Sequence, residues 1–234
     1  MPQSRSSRKY PRRNYKRAPT YQSRASHPYV AATAPAVGYA ALQLAKYAVN
    51  HLNVEYKFIN APTATPVAIS TTALVRQFLP DVSQGDTSSD RDGATIQWMS
   101  ANQRFSILYN PSSTVPVQIR HIVFKVLNVN NTAPVAGDVL ADPADVLSPR
   151  NLDETKNIKV LKDNTYTLYA DKPIKAGQVS LQWKKGMRTK YTKASTTGNN
   201  ASIETNYVYE LWLSTEDPST GNPPTMADWR LARS

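Results

Sequence analysis

QIRHIVFKVLNV, at residues 118–129, is the stretch of sequence that decides the fold. Its apolar side chains at Ile122, Phe124 and Val126 recur at every second position, the period of a β-strand with one face in a core. NYVYELWLS, at residues 206–214, alternates in the same way and is expected to be the last strand. Together the two runs predict long strands in a β-rich domain.

Shorter runs separated by turn residues predict further strands, with a polar loop at 84–93. We expect these strands at residues 54–58, 67–71, 94–109, 158–161, 165–170 and 178–184. The alternation within the third of them slips near residues 100–102, which predicts a bulge or bend. Residues 138–147 are acidic and contain a proline, which favours a helical turn or a loop. The chain after Glu216 is expected to be loop-like, with Trp229 docking onto the body.

One helix is predicted, at residues 38–53, where Ala41, Leu42, Ala45 and Val49 recur at helical spacing. Packing onto the core is the favoured role, and contact with a membrane or a partner is the alternative. Seven to nine strands with so little helix and long connections favour an all-β antiparallel sandwich or jelly roll over βαβ units.

The positive charge is concentrated at one end of the chain. The 234 residues include 28 Lys and Arg against 17 Asp and Glu, a net charge of +11, and the first carboxylate is Glu55. The cations of the first 24 residues are Arg5, Arg8, Lys9, Arg12, Arg13, Lys16, Arg17 and Arg24. Without those eight, 20 cations face 17 acids, so the rest of the chain has a net charge of only +3.

Residues 1–37 are predicted to be a disordered basic arm, and residues 38–234 the folded domain. Between Pro2 and Tyr29 there is no Leu, Ile, Val or Phe, so the arm cannot bury enough apolar surface to offset its ordering entropy. Its cations would neutralise phosphates, and Tyr10 and Tyr15 would stack on unpaired bases, so we expect it to bind single-stranded nucleic acid. Residues 9–17 also fit a nuclear localisation signal.

A second basic cluster follows the strand predicted at 178–184, in what is expected to be a loop. Its members are Lys184, Lys185, Arg188, Lys190 and Lys193. A solvated loop and a second phosphate-binding patch are equally good interpretations.

Catalysis, cofactors and metals are not expected. The chain has no Cys and three His, and no G-x-S-x-G, P-loop or H-E-x-x-H motif. His121 lies within a predicted strand, where a structural or surface role is typical. Asp138, Asp142 and Asp145 lack the spacing of a calcium loop. Pro35 and charged or polar residues interrupt the apolar stretch at 30–49, so no signal peptide or membrane insertion is expected.

A cationic Arg/Tyr arm followed by one β-rich domain resembles the capsid proteins of small icosahedral viruses. QGD at 84–86 with RDGATI at 91–96, and LSPRNL at 147–152 with KVLKD at 159–163, are similar to segments of capsid proteins from circular Rep-encoding single-stranded DNA (CRESS) viruses. Satellite plant viruses with RNA genomes have similar jelly-roll shells.

The resemblance implies a single eight-stranded jelly roll and self-assembly of sixty copies into a T=1 shell. It implies arms directed inward onto packaged single-stranded DNA, and a protein found in the virion and in the host nucleus, with a nuclear import receptor as a further partner. The alternatives are a non-assembling nucleic-acid-binding protein of ribosomal or chromatin type, a coat protein of a satellite-like RNA virus, and a lectin-type jelly roll.

Overall fold

The computed structural model describes residues 57–62, 65–87, 89–192, 196–216 and 223–234. Its strands are β1 Phe58–Pro62, β2 Val67–Ala68, β3 Leu74–Gln77, β4 Thr95–Leu108, β5 Val117–Asn128, β6 Ile158–Leu168, β7 Ile174–Tyr191, β8 Ile203–Ser214 and β9 Thr225–Arg233. One helical turn, α1 Ala136–Val139, and a 3-10 turn, Asn200–Ser202, accompany them. All pairings between these strands are antiparallel, which confirms the predicted fold class.

The strand order is that of a jelly roll. One layer runs β1-β9-β4-β7, with β2 also paired to β9, and the other runs β3-β8-β5-β6. The layers join at one corner, where Lys190 and Tyr191 pair with Thr205 and Ile203. A jelly roll has eight strand positions, and the described residues form nine strands. The short strands β1 and β2 together occupy the first position, since both pair with β9.

The core lies between the layers. Phe105 of β4 meets His121 of β5 and Trp212 of β8, with ring centroids 5.4 and 5.0 Å apart. The opposite face of the β8 layer is also covered, because Tyr207 is fully buried and its hydroxyl donates to the carbonyls of Leu79 and Pro80. This is why eight consecutive residues of β8 are buried although only alternate ones face the other layer.

Two predicted strands are one. The sequence predicts separate strands at residues 158–161 and 165–170, but β6 is continuous. The polar pair Asp163 and Asn164 hides the alternation, and Asp163 is satisfied in the strand by two hydrogen bonds from Arg120.

The predicted loop after Glu216 is also wrong at 225–233, because β9 is there, paired between β1 and β4. Its inward positions include Asp228 and Arg230, whose charges conceal the strand period. Both are accommodated through ion pairs, Asp228 with Arg76 at 2.8 Å and with Arg230 at 3.3 Å. Trp229 points the other way and is 44% exposed.

The remaining predictions differ in extent. The β4–β7 register shifts between Trp98 and Ser100, just before the expected bulge. β2 is shorter than the predicted 67–71, and β3 has no counterpart among the predicted strands. A helical turn does occur at 136–139, and turns follow it, as expected for 138–147. The helix predicted at 38–53 and the boundary between 37 and 38 lie outside the described residues.

Candidate nucleic-acid interface

The basic arm lies wholly outside the described residues, so its role stays a prediction. This holds for each of its proposed contact residues: Arg5, Arg8, Lys9, Tyr10, Arg12, Arg13, Tyr15, Lys16, Arg17 and Arg24.

The second basic cluster lies in a strand, which corrects the expected loop. β7 extends to Tyr191 and contains Lys184, Lys185, Arg188 and Lys190. Lys193 lies outside the described residues. The short strand predicted at 178–184 missed this extension because charged residues fill the second half of β7.

A bulge in β7 contains Lys184 and Lys185. Trp98 pairs with Met187 and Ser100 with Gln182, so residues 183–186 are opposed by Met99 alone. Gly186 has φ of 73°, a conformation that favours glycine, and a Cβ there would overlap the side chain of Gln97. Gln97 Nε2 donates to the Lys185 carbonyl at 3.0 Å. The glycine conformation and this hydrogen bond therefore stabilise the bulge.

Three cations of this cluster face solvent. Lys184, Lys185 and Arg188 are exposed, and none forms an ion pair within the described part of the chain. Lys190 differs, because its ammonium pairs with Glu204 of β8. We name Lys184, Lys185 and Arg188 the β7 patch.

The described residues also contain a cluster of charges inside the core. Glu210 accepts hydrogen bonds from Arg76 Nε at 2.7 Å and from Gln103 Nε2 at 2.9 Å. His121 Nε2 and Trp212 Nε1 lie 2.9 and 3.0 Å from its Oε2. Gln103 Nε2 also donates to Asp228 at 2.8 Å, which links the two carboxylates.

This cluster is structural. Burial alone would raise the pKa of Glu210, but the hydrogen bond from His121 and the charges of Arg76 and Arg230 outweigh it and lower the pKa to about 2. The carboxylate is therefore ionised at neutral pH, with cationic partners on β3 and β9. Glu210 and His121 are fully buried between the layers.

The QGD…RDGATI motif forms a loop tied down by Arg91. Its guanidinium is buried, donates to the carbonyls of Val82 at 3.3 Å and Thr197 at 3.4 Å, and lies 4.5 Å from the Tyr191 ring centroid. A Cβ at Gly85 would come within 2.5 Å of the Asp90 carboxylate, which would have to shift. The motif thus braces the end of the sandwich.

The LSPRNL motif is held in a similar way. Arg120 of β5 donates to Asp163 of β6 and to the carbonyls of Val146 and Ser148, while Arg150 also reaches Asp163, at 3.2 Å. Burial alone would raise the pKa of Asp163, but these two guanidiniums outweigh it and lower the pKa. The loop is thereby fixed to the outer face of the β5–β6 layer.

Asp138, Asp142 and Asp145 make local contacts within turns. Asp138 accepts from the backbone of Val135 at 2.9 Å, and Asp142 and Asp145 accept from the backbone two residues ahead of each. In the part of the chain that the structure describes, no three such residues are grouped so that they would hold a metal ion. No helix in that part has both the length and the apolar character required to cross a membrane.

No family model matches the chain, and no curated protein matches it. The similar solved structures include weak neighbours that are viral capsid proteins. A structure of the infectious bursal disease virus Gt strain is 9% identical and covers 76% of this chain and 41% of that chain, with a TM-score of 0.15.

T=1 particles derived from infectious bursal virus give 9% identity, 76% and 39% coverage, and a TM-score of 0.12. The chain spans about two fifths of the length of these matched proteins.

Proposed function

We propose that this protein is the capsid subunit of a small icosahedral virus, which assembles with copies of itself and packages single-stranded DNA. The observation that carries the proposal is the jelly-roll strand order of residues 58–233 in a chain whose first 24 residues hold eight cations and no acid. The role is structural, without catalysis or a cofactor. A closed T=1 shell of sixty copies, present in the virion and assembled in the host nucleus, is the finer form of the proposal.

The division of labour follows from the charge distribution. A body of low net charge does not repel its neighbours strongly, so many copies approach one another at ordinary ionic strength. The arms supply the cations that bind phosphates without reading sequence, and assembly makes these weak contacts multivalent. A nuclear import receptor would recognise the same arm, at residues 9–17.

Exposed apolar side chains offer surfaces for subunit contact. Leu147 and Leu152 are 75% and 76% exposed, and they flank the LSPRNL turn that Arg120 and Asp163 hold in place. Subunit contact would bury these two apolar side chains and so remove their apolar surface from water. We assign this loop to the contact between subunits.

The proposal is tested with three full-length or near full-length proteins. These are the wild type, a variant lacking residues 2–24, and a length-matched variant with the eight arm cations replaced by Ser. Negative-stain microscopy reports particles, and the 260/280 nm absorbance ratio reports nucleic acid. We expect uniform small particles and a high ratio for the wild type, and a low ratio for both variants, with the β-sheet circular dichroism unchanged.

Two results would overturn the proposal in different ways. Soluble monomers or small oligomers at every salt concentration, with nucleic acid still bound, would favour the non-assembling nucleic-acid-binding protein. A high ratio in the Ser variant would show that packaging does not depend on the arm. Nuclease digestion of the packaged strand with DNase or RNase separates a DNA genome from the RNA of a satellite-like virus.

A further inference from the structure

The two layers of the sandwich differ in what covers their outer faces. Segments around Leu79 and Val146 cover the β8–β5 layer, as the hydrogen bonds of Tyr207 and Arg120 show. On the other layer, the outward side chains of β4, β7 and β9 are largely open to solvent. We name this surface the open face. It is the outer side of strands β1, β9, β4 and β7.

The open face carries positive charge only. Its four strands contain eight Lys and Arg and a single carboxylate, Asp228; the side chains of Asp228 and Arg230 are turned inward and form an ion pair, so neither contributes to the face. By the same count, the four strands of the other layer contain five cations and three acids. A polyanion is therefore the complementary partner for the open face.

An aromatic platform lies in the middle of this face. Trp229 of β9 is directly opposite Arg104 of β4, which is opposite Gln178 of β7. Together with Asn102 and Leu231, they line a shallow pocket of about 230 Å³. Trp229 is 44% exposed, and Arg104 is exposed and forms no ion pair within the described residues.

A second aromatic ring repeats the arrangement on the same face. Phe58 of β1 is 60% exposed, and the guanidinium of Arg233 lies 5.7 Å from its ring centroid. Phe58 is directly opposite Arg233, which lies four residues beyond Trp229 on β9. At the rise of a β-strand, Trp229 and Arg233 are about 13 Å apart along β9, and each aromatic ring lies beside an arginine.

We propose that the open face binds single-stranded nucleic acid, with an unpaired base stacked on Trp229 and the adjoining phosphate bound by Arg104. A flat π-surface with a neighbouring guanidinium is the pairing by which proteins bind single strands without reading sequence. Asn102 and Gln178 supply amide donors and acceptors to the edge of the base. The proposal rests on the proposed function, since it adds an ordered contact surface on the body to the contacts of the arm.

A glycan is the other ligand that stacks on an exposed Trp between amides. The excess of cations and the inward position of the only carboxylate favour the polyanion. A second copy of this chain is also disfavoured, because two open faces of the same charge would repel each other.

The test uses full-length protein and an oligothymidylate carrying 5-iododeoxyuridine. Irradiation of the complex, followed by peptide mapping, reports which residues contact bases, in assembled and unassembled fractions alike. Fluorescence titration over a range of salt concentrations reports affinity. The variants are Trp229→Ala and Arg104→Gln, and their controls are Tyr169→Ala, which removes an aromatic side chain of the same 44% exposure at the end of β6, and Lys159→Gln on the other layer.

We expect crosslinks to Trp229 and a roughly tenfold loss of affinity in Trp229→Ala, with no change in the salt dependence. Arg104→Gln should reduce the slope of log K against log salt by about 0.7, the value for one phosphate contact on a single strand. Both controls should bind as the wild type does.

Absence of crosslinks to Trp229 together with wild-type affinity in Trp229→Ala would overturn the proposal. So would Trp-dependent binding to a glycan array without oligonucleotide binding, or a change in sedimentation in Trp229→Ala with unchanged oligonucleotide affinity. The proposed function can fail separately. If oligonucleotide crosslinks to Trp229 form but the protein never forms particles, the open-face site is supported and the capsid function is refuted.

Discussion

The imidazole of His121 lies flat on the indole of Trp212, with ring centroids 3.7 Å apart and planes inclined by 8°. The two residues are directly opposite each other on β5 and β8, and their Nε atoms approach the same oxygen of Glu210. A stacked pair on adjacent strands thus holds a buried carboxylate, and Arg76 binds its other oxygen from β3. The core of the sandwich is organised around this anion as well as around its apolar side chains.

The first prediction concerns the charge of Glu210. Glu210→Gln should lower the free energy of unfolding by about 3 kcal/mol at neutral pH, because it removes the negative charge of a buried ionic cluster and replaces one acceptor oxygen by an NH2 donor that faces other donors. Because folding lowers the pKa from 4.5 to about 2, the ionised carboxylate contributes stability above pH 4.5. That contribution is lost as the pH falls from 4.5 to about 2.

Urea unfolding of the wild type and the Glu210→Gln variant between pH 2 and 7 measures this effect. The difference between the two proteins should be largest near neutral pH and should shrink below pH 4.5. A difference that is constant across the whole range would contradict the assignment.

The second prediction concerns Gly177 on β7. A Cβ at this position would overlap the ring of Phe105, which its contacts with His121, Tyr166 and Trp212 hold in place. We expect Gly177→Ala to destabilise the protein by about 1–3 kcal/mol through overpacking. Thermal unfolding measures the effect. Gly93→Ala is the matched control, because no atom lies within 4 Å of a Cβ there, and an equal loss in both variants would refute the packing argument.

The strands that are predictable from the sequence are those with apolar side chains at alternate positions along one face. β5 and β8 stand out because apolar residues alternate on the face that points away from the other layer, as at Phe124 and Tyr209, although the inward positions of β8 include Glu210. β9 is not recognisable, because Asp228 and Arg230 occupy inward positions and their partners come from β3. Strands are predicted from apolar residues at alternate positions, and a buried ion pair places charged residues there instead.

The site on the open face cannot be predicted from the sequence, for a different reason. Arg104 is the only cation of β4, and Trp229 follows 125 positions later, so neither belongs to a local motif. The strand register alone places them opposite each other. Clusters that are contiguous in sequence, such as the β7 patch, are recognisable, although their secondary structure is not.

The third prediction concerns the brace under the LSPRNL loop. Asp163→Asn removes the negative charge that binds Arg120 and Arg150. We expect amide hydrogen exchange at residues 141–152 to become several-fold faster, while β5 keeps its protection, because the loop opens without the sheet. Asp153→Asn changes an exposed carboxylate in the same region and should leave the exchange unchanged. Faster exchange throughout β5 would show that Asp163 supports the sheet instead.

The last prediction concerns the β7 patch. Lys184, Lys185 and Arg188 are exposed on the bulged part of β7 and lack carboxylate partners within the described residues. Replacing all three by Gln should reduce the slope of log K against log salt for oligothymidylate by about 0.7 per lost phosphate contact, hence by about 2 in all.

The matched control replaces three exposed lysines near and on β6, Lys156, Lys159 and Lys162, by Gln. It removes the same charge from the other layer, so a reduction that arises only from net charge would be equal in the two triple variants. A reduction confined to the β7 variant places phosphates at this strand. Equal slopes in both variants and the wild type would instead leave the β7 patch a solvated surface.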